Sequence, residues 1–278
     1  MHLQCGRHRI DLAHPVVMGV LNVTPDSFSD GGLYLEPAAA LDRAVQLVEQ
    51  GAAIVDIGGE STRPGAAPVP AGEELRRVVP IVERLAGTLS VPVSVDTRKP
   101  EVMRAVLAAG ATMVNDVMAL RAPGAVEAIA SSAAAVCLMH MQGEPGTMQA
   151  APRYGDAVAE VRGFLRVRAA DCMAAGIARE RLVVDPGFGF GKTLEHNLAL
   201  LAGLSAIAAD GLPVLVGLSR KRMIGALTGR AEDERLAGSL AAAVVAAING
   251  ARIIRAHDVA ATVDALAVLS ASGAMRDN

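Results

Sequence analysis

The stretch GAAIVDI, residues 51–57, contains the pattern from which the fold can be predicted. Similar stretches occur twice more, as GATMVND from Gly110 and GARIIRA from Gly250. In each, a glycine suited to the left-handed conformation that closes a helix is followed by an apolar run. A short apolar run bounded in this way is typical of a strand buried on both faces. The three stretches therefore predict junctions from a helix to a strand of a parallel sheet.

Eight apolar runs occur along the chain, and helical patterns separate them. The runs are residues 16–20, 54–57, 91–95, 112–115, 134–139, 182–185, 214–218 and 252–255. Pro37 and Pro100 suit the first turn of a helix. Strands that alternate with helices indicate a parallel sheet. Eight repeats favour an α/β fold closed as a (β/α)8 TIM barrel over an open doubly wound sheet. We expect residues 1–278 to form one domain, in which residues 1–14 are a short N-terminal cap on the bottom of the barrel.

The composition fits such a barrel. The 278 residues are close to the roughly 250 of a single α/β barrel. With 52% hydrophobic and 20% charged residues, the chain can bury a large core and is not of the disordered class. Aromatic residues make up 2%, so the core must be aliphatic. A net charge of −3 with interspersed signs excludes nucleic-acid or membrane binding driven by overall charge, and we expect neither partner.

The three cysteines, Cys5, Cys137 and Cys172, are far apart and lack C-x-x-C spacing. Such cysteines are typical of reduced thiols in a cytosolic protein. The N-terminal residues 1–14 have no apolar core of a signal peptide. No apolar run approaches the ~18 residues that a membrane span needs. We therefore expect a cytoplasmic protein.

The active sites of TIM barrels lie at the carboxyl ends of the strands, and the polar residues of this chain cluster there. They are Asn22, Asp56, Glu60, Thr62, Arg63, Asp96, Asn115, Asp116, His140, Asp185, Ser219, Arg220, Lys221, Arg255 and His257. Asp116 and Asp258 are equally well explained as capping groups. So many polar residues at one rim predict a site at the mouth of the barrel.

The residue types indicate what this site binds. Lys221, Arg255 and His257 follow the last two strands, where barrels often bind phosphate. Asp96, Asn115 and Asp185 come from the other strands. Carboxylates and amides deep in a barrel suit a flat heterocycle with N–H donors, such as a pterin or a guanine.

The chain also contains two long loops and two misleading motifs. The loops, residues 22–32 and 58–72, are rich in Gly, Pro and Ser, and loops of this length are usually functional lids. GFGFGKT at 187–193 is not a P-loop, because Pro186 stands where its first glycine belongs. His140 lies between two methionines, which is more typical of a hydrogen-bonded wall residue than of a zinc ligand.

Eight motifs in order resemble the successive signatures of the dihydropteroate synthase family. They are NVTPDSFSDGG (22–32), DIGGESTRPGA (56–66), SVDTRKP (94–100), VNDV (114–117), MHMQGEPGTMQ (139–149), DPGFGFGKT (185–193), GLSRKRMIG (217–225) and RAHDV (255–259). The resemblance runs from about residue 16 to residue 260. It implies a transferase of folate biosynthesis that is a sulfonamide target and joins (7,8-dihydropterin-6-yl)methyl diphosphate to 4-aminobenzoate.

The resemblance also implies roles for individual residues. Those for the pterin are Asp96, Asn115, Asp185 and Lys221, and those for the diphosphate are Asn22, Thr62, Arg255 and His257. Those for aminobenzoate are Phe28, Thr62, Arg63, Ser219 and Arg222, and the catalytic residues are Asp30, Asp96 and Lys221. Asn22 is implied as the ligand of a Mg²⁺ ion. A homodimer is expected from the family alone.

Two positions depart from the family pattern. Arg222 stands where Ser is usual, beside the expected aminobenzoate carboxylate, and Ala256 stands where Val is common. Two other function classes remain as alternatives, a non-catalytic pterin-binding paralogue and the pterin-binding barrel of corrinoid methyltransferases. The first would lack lid or diphosphate residues, and the second would lack the motifs at 22–28 and 219–221.

Overall fold

The structure is a computed structural model that describes residues 1–23, 37–60, 68–144 and 146–274. Within these residues, two strands form a hairpin, β1 (His2–Cys5) and β2 (His8–Asp11). The other strands are β3 (Val16–Asn22), β4 (Ala52–Gly58), β5 (Val93–Asp96), β6 (Met113–Asp116), β7 (Ala135–Met139), β8 (Leu182–Asp185), β9 (Val214–Gly217) and β10 (Ala251–Ala256).

Helices connect the barrel strands. They are α1 (Pro37–Glu49), α2 (Ala71–Thr88), α3 (Pro100–Ala108), α4 (Ala125–Ala130), α5 (Ala157–Ala174), α6 (Leu194–Ala202), α7 (Leu204–Ala208), α8 (Arg222–Thr228), α9 (Leu236–Ile248) and α10 (Val259–Ser272). As predicted, Pro37 and Pro100 begin their helices. No helix in the described ranges is both long and apolar enough to cross a membrane.

The eight strands β3 to β10 pair in parallel and close a barrel in the order β10-β3-β4-β5-β6-β7-β8-β9. Each predicted apolar run coincides with one of these strands, so the (β/α)8 prediction is confirmed. The glycines at the three quoted junctions, Gly51, Gly110 and Gly250, have φ angles of 96°, 106° and 102°. This is the left-handed conformation that the junction pattern requires.

The hairpin packs against the lower interior of the barrel. Leu3, Cys5, Ile10 and Leu12 belong to the same apolar cluster as inward-facing residues of the barrel strands. Those strand residues are Met18, Ile54, Met113, Ala135, Cys137, Val183, Leu215 and Ile253. The contacts support the proposal that the first 14 residues cap the barrel within a single domain. They also fill the lower half of the barrel with side chains, so that only the upper half can hold a ligand.

Candidate functional site

The strand register brings polar residues together above this apolar layer. Side chains alternate along a strand, so residues two and four positions beyond Met18, Ile54, Met113 and their equivalents also face inward. Asn22 pairs with Gly58, Gly58 with Asp96, and Asp96 with Asn115. Four adjacent strands therefore contribute one row to the mouth of the barrel. Gly58 leaves a gap in that row, and a Cβ atom there would lie 3.5 Å from the amide oxygen of Asn22.

Arg255 connects two carboxylates across the mouth. Its Nε donates to Asp56 Oδ2 at 2.7 Å, and its Nη2 donates to Asp96 Oδ2 at 3.3 Å. The amide of Asn115 donates to the same Asp56 oxygen at 3.2 Å. The other Asp56 oxygen, Oδ1, is buried and has no hydrogen-bond partner among the described residues. The sequence placed Asp56 at the rim but gave it no role, and the structure shows that it anchors Arg255.

The guanidinium of Arg255 faces two buried carboxylates, and this environment shifts the pKa values of Asp96 and Arg255. Burial raises the pKa of Asp96 from 3.8 to about 7, opposed by Arg255 and reinforced by Asp56. Burial lowers the pKa of Arg255, but the neighbouring Asp56 and Asp96 outweigh it and raise the pKa above its ordinary value. Arg255 therefore stays charged, and Asp96 takes up a proton more readily than an exposed aspartate.

Asp185 and Lys221 form the opposite side of the mouth. Asp185 ends β8, and its Oδ1 accepts a hydrogen bond of 2.7 Å from the backbone N–H of Gly187. No described residue donates to its second oxygen, which is left for a ligand. Burial raises the pKa of Asp185, opposed by Lys221. Burial lowers the pKa of Lys221 to about 8, and its ammonium donates to the carbonyl of Phe188 and lies 4.6 Å from the centre of the Phe190 ring.

The segments after β9 and β10 are held to each other. The backbone N–H of His257 donates to Ser219 Oγ at 3.3 Å, and His257 Nδ1 lies 3.1 Å from the same oxygen. Arg220 donates through Nε and Nη2 to the two oxygens of Asp258, at 3.0 and 2.5 Å. Asp258 occupies the N-cap position of α10 but makes no side-chain cap bond, because its carboxylate pairs with Arg220 instead. Asp116 does cap a turn, because it accepts from the N–H groups of Met118 and Leu120.

An apolar wall beside Asn115 and Asp185 was missed in the sequence. It consists of Val117, Met118, Met139, Met141, Met148 and Phe190. A flat ring needs such a wall as well as polar groups. The methionines at 139 and 141 flank His140 in the sequence, so the alternation itself could have revealed it.

The two misleading motifs proved to be structural. His140 is buried, and burial followed by the charge of Lys192 lowers its pKa to about 3. Lys192 is buried among backbone carbonyls and His140, not exposed to bind a nucleotide phosphate.

Several predicted site residues cannot be placed. Phe28, Asp30, Thr62 and Arg63 lie outside the described residues. Arg222 is placed, as the first residue of α8, and its side chain is exposed.

A metal site of protein ligands alone is not found in the described part of the chain, where no three His, Cys, Asp or Glu side chains converge. Mg²⁺ does not require one, because it usually keeps several waters and binds through one or two protein oxygens and substrate phosphates. The amide oxygen of Asn22 over Gly58 and the unpartnered Oδ1 of Asp56 are oxygens of the kind that fit such an ion.

Comparisons with known proteins agree on one family. A family model described as pterin binding enzyme matches residues 18–257. The dihydropteroate synthase of Escherichia coli K12 is 54% identical over 269 residues, which cover 97% of this chain and 95% of that protein.

Two solved structures are similarly close. The Xanthomonas albilineans dihydropteroate synthase with 4-aminobenzoic acid has a TM-score of 0.92 and 54% identity, covering 99% of both chains. The Burkholderia cenocepacia enzyme complexed with 7,8-dihydropteroate has a TM-score of 0.90 and 52% identity, covering 98% of this chain and 96% of that one. Neither alternative function class gains support from these comparisons.

The raised pKa of Asp96 predicts a pH dependence of stability. Because the folded state binds this proton more tightly than the unfolded state, the contribution is present below pH 4 and is lost as pH rises through about 7. Relative to Asp96→Asn, the natural protein should lose stability over this range by at most about 1.4 kcal/mol per pH unit. Urea denaturation of both proteins from pH 5 to pH 8 measures the difference. A constant difference would mean that Arg255 keeps Asp96 ionised throughout.

Proposed function

The chain belongs to the dihydropteroate synthase family, and from this membership we propose how the described residues carry out the family's reaction. The chain is a transferase that condenses (7,8-dihydropterin-6-yl)methyl diphosphate with 4-aminobenzoate to give 7,8-dihydropteroate and diphosphate. The C–O bond between the methylene group and the diphosphate breaks, a C–N bond to the aryl amine forms, and the amine loses a proton. The roles of the residues, the metal and the assembly are our proposal.

The pterin binds between Asp185 and the row that contains Asp96 and Asn115. The observation that carries this assignment is Asp185, which is buried, oriented by Gly187 through one oxygen and open at the other. A carboxylate so placed accepts N–H bonds from an amino-oxo ring. Lys221 then leaves the Phe188 carbonyl to donate to a ring acceptor, and the methionine wall covers one face of the ring.

The diphosphate binds on the β10 side of the mouth, to Asn22, Thr62, Arg255 and His257. Arg255 lies closer to Asp56 than to Asp96, with hydrogen bonds of 2.7 Å and 3.3 Å. Arg255 can therefore keep the first and exchange the second for a phosphate oxygen. A guanidinium binds such oxygens with two parallel donors.

Departure of diphosphate leaves positive charge on the methylene group, which the electron-rich ring can delocalise. The buried carboxylates of Asp96 and Asp185 stabilise a cation on that ring, and Arg255 stabilises the anion that leaves. Asp96, Lys221 and Asp30 are the proposed catalytic residues. Water must be excluded while the cation exists, which is the role we assign to the loops 22–32 and 58–72.

Aminobenzoate binds next to the methylene group, at Phe28, Thr62, Arg63, Ser219 and Arg222. Its carboxylate faces the N-terminus of α8, which no side chain caps and whose dipole favours an anion. A bound Mg²⁺, held by Asn22, would neutralise charge on the departing diphosphate. We further propose, from the family, a cytoplasmic homodimer.

Diphosphate release should require both substrates and a hard divalent cation. Each component is omitted in turn in an assay of diphosphate and dihydropteroate. We expect release only in the complete mixture, and restored release when Mg²⁺ is added back after chelation. Full turnover in excess chelator would refute the metal role, and release without aminobenzoate would refute coupled transfer.

Asp185→Asn should weaken pterin binding by about 2–4 kcal/mol, because it replaces an acceptor with a donor and leaves a ring N–H unpaired. Calorimetric titration with 7,8-dihydropteroate measures the loss. Asp210→Asn is the matched control, since Asp210 pairs with Arg162 on the outer layer of the barrel. Unchanged affinity in Asp185→Asn would refute the assignment.

Arg222→Ser tests the departure from the family pattern. If Arg222 attracts the aminobenzoate carboxylate, the Michaelis constant for aminobenzoate should rise by about two- to fivefold, the range of an exposed ion pair. The constant for the pterin diphosphate should not change. Arg230→Ser, an exposed arginine beyond the other end of α8, serves as the control. Two unchanged constants would show that Arg222 is only a solvated charge.

A further inference from the structure

The chain has three lysines among its 26 basic residues, and the rest are arginines. All three lysines, Lys99, Lys192 and Lys221, follow barrel strands at the mouth. An ammonium group offers three donors in a compact tetrahedron, whereas a guanidinium offers a planar fork. Lys221 belongs to the proposed pterin site, whereas the proposed function gives Lys192 no role there.

Lys192 is surrounded by acceptors in the interior. Its Nζ lies 2.9 Å from the carbonyl oxygen of Gly187, 3.0 Å from that of Phe190 and 3.0 Å from Nδ1 of His140. The carbonyl oxygen of His140 lies slightly farther away, at 3.3 Å, so the three N–H bonds of the ammonium group are all engaged. His140 can accept because its low pKa keeps the ring neutral. The contacts tie the end of β7 to the loop that follows β8.

Every carbonyl of residues 187–191 accepts a hydrogen bond from a side chain. Lys192 binds the first and fourth, and Lys221 binds the second. Gln149 Nε2 binds the third at 2.5 Å, and the hydroxyl of Tyr154 binds the fifth at 2.9 Å. These contacts hold the loop in one conformation. Lys192, which is buried and binds two of the five carbonyls, determines that conformation.

The loop lies directly against β7. Gly187 has a φ angle of +70°, and a Cβ atom there would come within 2.0 Å of the carbonyl oxygen of His140. The backbone N–H of Gly187 donates to the carboxylate of Asp185. A shift of the loop would therefore move the donor that orients Asp185 and the Phe188 carbonyl that receives Lys221.

We propose that Lys192 is a positioning residue of the pterin site, which holds residues 187–191 so that Asp185 and Lys221 face the ring. The inference rests on the proposed pterin roles of those two residues. Lys192 itself does not touch the substrate.

The charge of Lys192 also acts on Asp185. The groups that face Asp185 are Lys221, Arg255 and Lys192, which are cationic, and Cys137 of β7, with neutral His140 beside Lys192. Burial raises the pKa of Asp185, and Lys221 and Lys192 oppose it. Burial lowers the pKa of Lys192 to about 7, opposed by the carboxylate of Asp185. Removing this cation therefore moves the ionisation of Asp185 to higher pH.

Lys192→Gln removes the charge but keeps two N–H donors. We expect the Michaelis constant for the pterin diphosphate to rise about tenfold, as for loss of a charge-assisted hydrogen bond, with kcat little changed. The acid limb of pterin binding should move to higher pH. Arg181→Gln is the matched control, because Arg181 is also a buried cation on backbone carbonyls, those of Ala134 and Ile129, at the other end of β8. It should lower stability and change neither quantity.

Two results would overturn the inference. One is that Lys192→Gln has the same Michaelis constant for the pterin diphosphate, and the same acid limb of pterin binding, as the natural protein. The other is an equal change in Arg181→Gln, which would make the effect a general consequence of lost stability. Failure of the natural protein to bind 7,8-dihydropteroate would instead overturn the proposed function.

A measurement on the natural protein does not depend on whether a variant folds. With ¹⁵N-labelled lysine, the chain has only three ammonium resonances to assign. We expect the Lys192 resonance to exchange slowly with water and to shift when 7,8-dihydropteroate binds, together with that of Lys221. A shift of Lys221 alone would contradict the coupling.

Discussion

Within the described part of the chain, the barrel mouth buries three carboxylates, those of Asp56, Asp96 and Asp185, and the arrangement of the site follows from holding them there. An unpaired buried charge is costly, so each carboxylate must be paired, hydrogen-bonded or protonated. Arg255 serves two of them, and Lys221 with the N–H of Gly187 serves the third. Asp96 is buried and shares Arg255 with Asp56, which explains why it tends to take up a proton.

These incompletely paired groups also suit the proposed ligand. In the proposed binding mode, a pterin brings N–H donors to the carboxylates, and a diphosphate brings negative charge to the cations. The substrate would then supply partners to both kinds of group. The apolar layer beneath, closed by the hairpin β1–β2, keeps the ligand in the upper half of the barrel.

The sequence was sufficient for the fold because the fold is encoded locally. A glycine that ends a helix and the apolar run that follows it are neighbours in the chain. Because strands and helices alternate along the chain, the carboxyl ends of all the strands lie at one rim. The contact between Arg255 and Asp56 joins residues 199 positions apart, and no local pattern predicts it. For the same reason no local pattern predicts the pairing of Asp258 with Arg220 or the contact of Lys192 with His140, since each partner lies on a distant segment.

We propose that one mouth holds the pterin on Asp185 and the diphosphate on Arg255. A crystal structure of the chain with (7,8-dihydropterin-6-yl)methyl diphosphate, without aminobenzoate, tests this binding mode most directly. We expect ring N–H groups on Asp185 and Asn115, and diphosphate oxygens within hydrogen-bond distance of Arg255 and His257, with the Arg255 contact to Asp56 kept and that to Asp96 lost. A diphosphate bound in a separate pocket, with Arg255 still on both carboxylates, would contradict it.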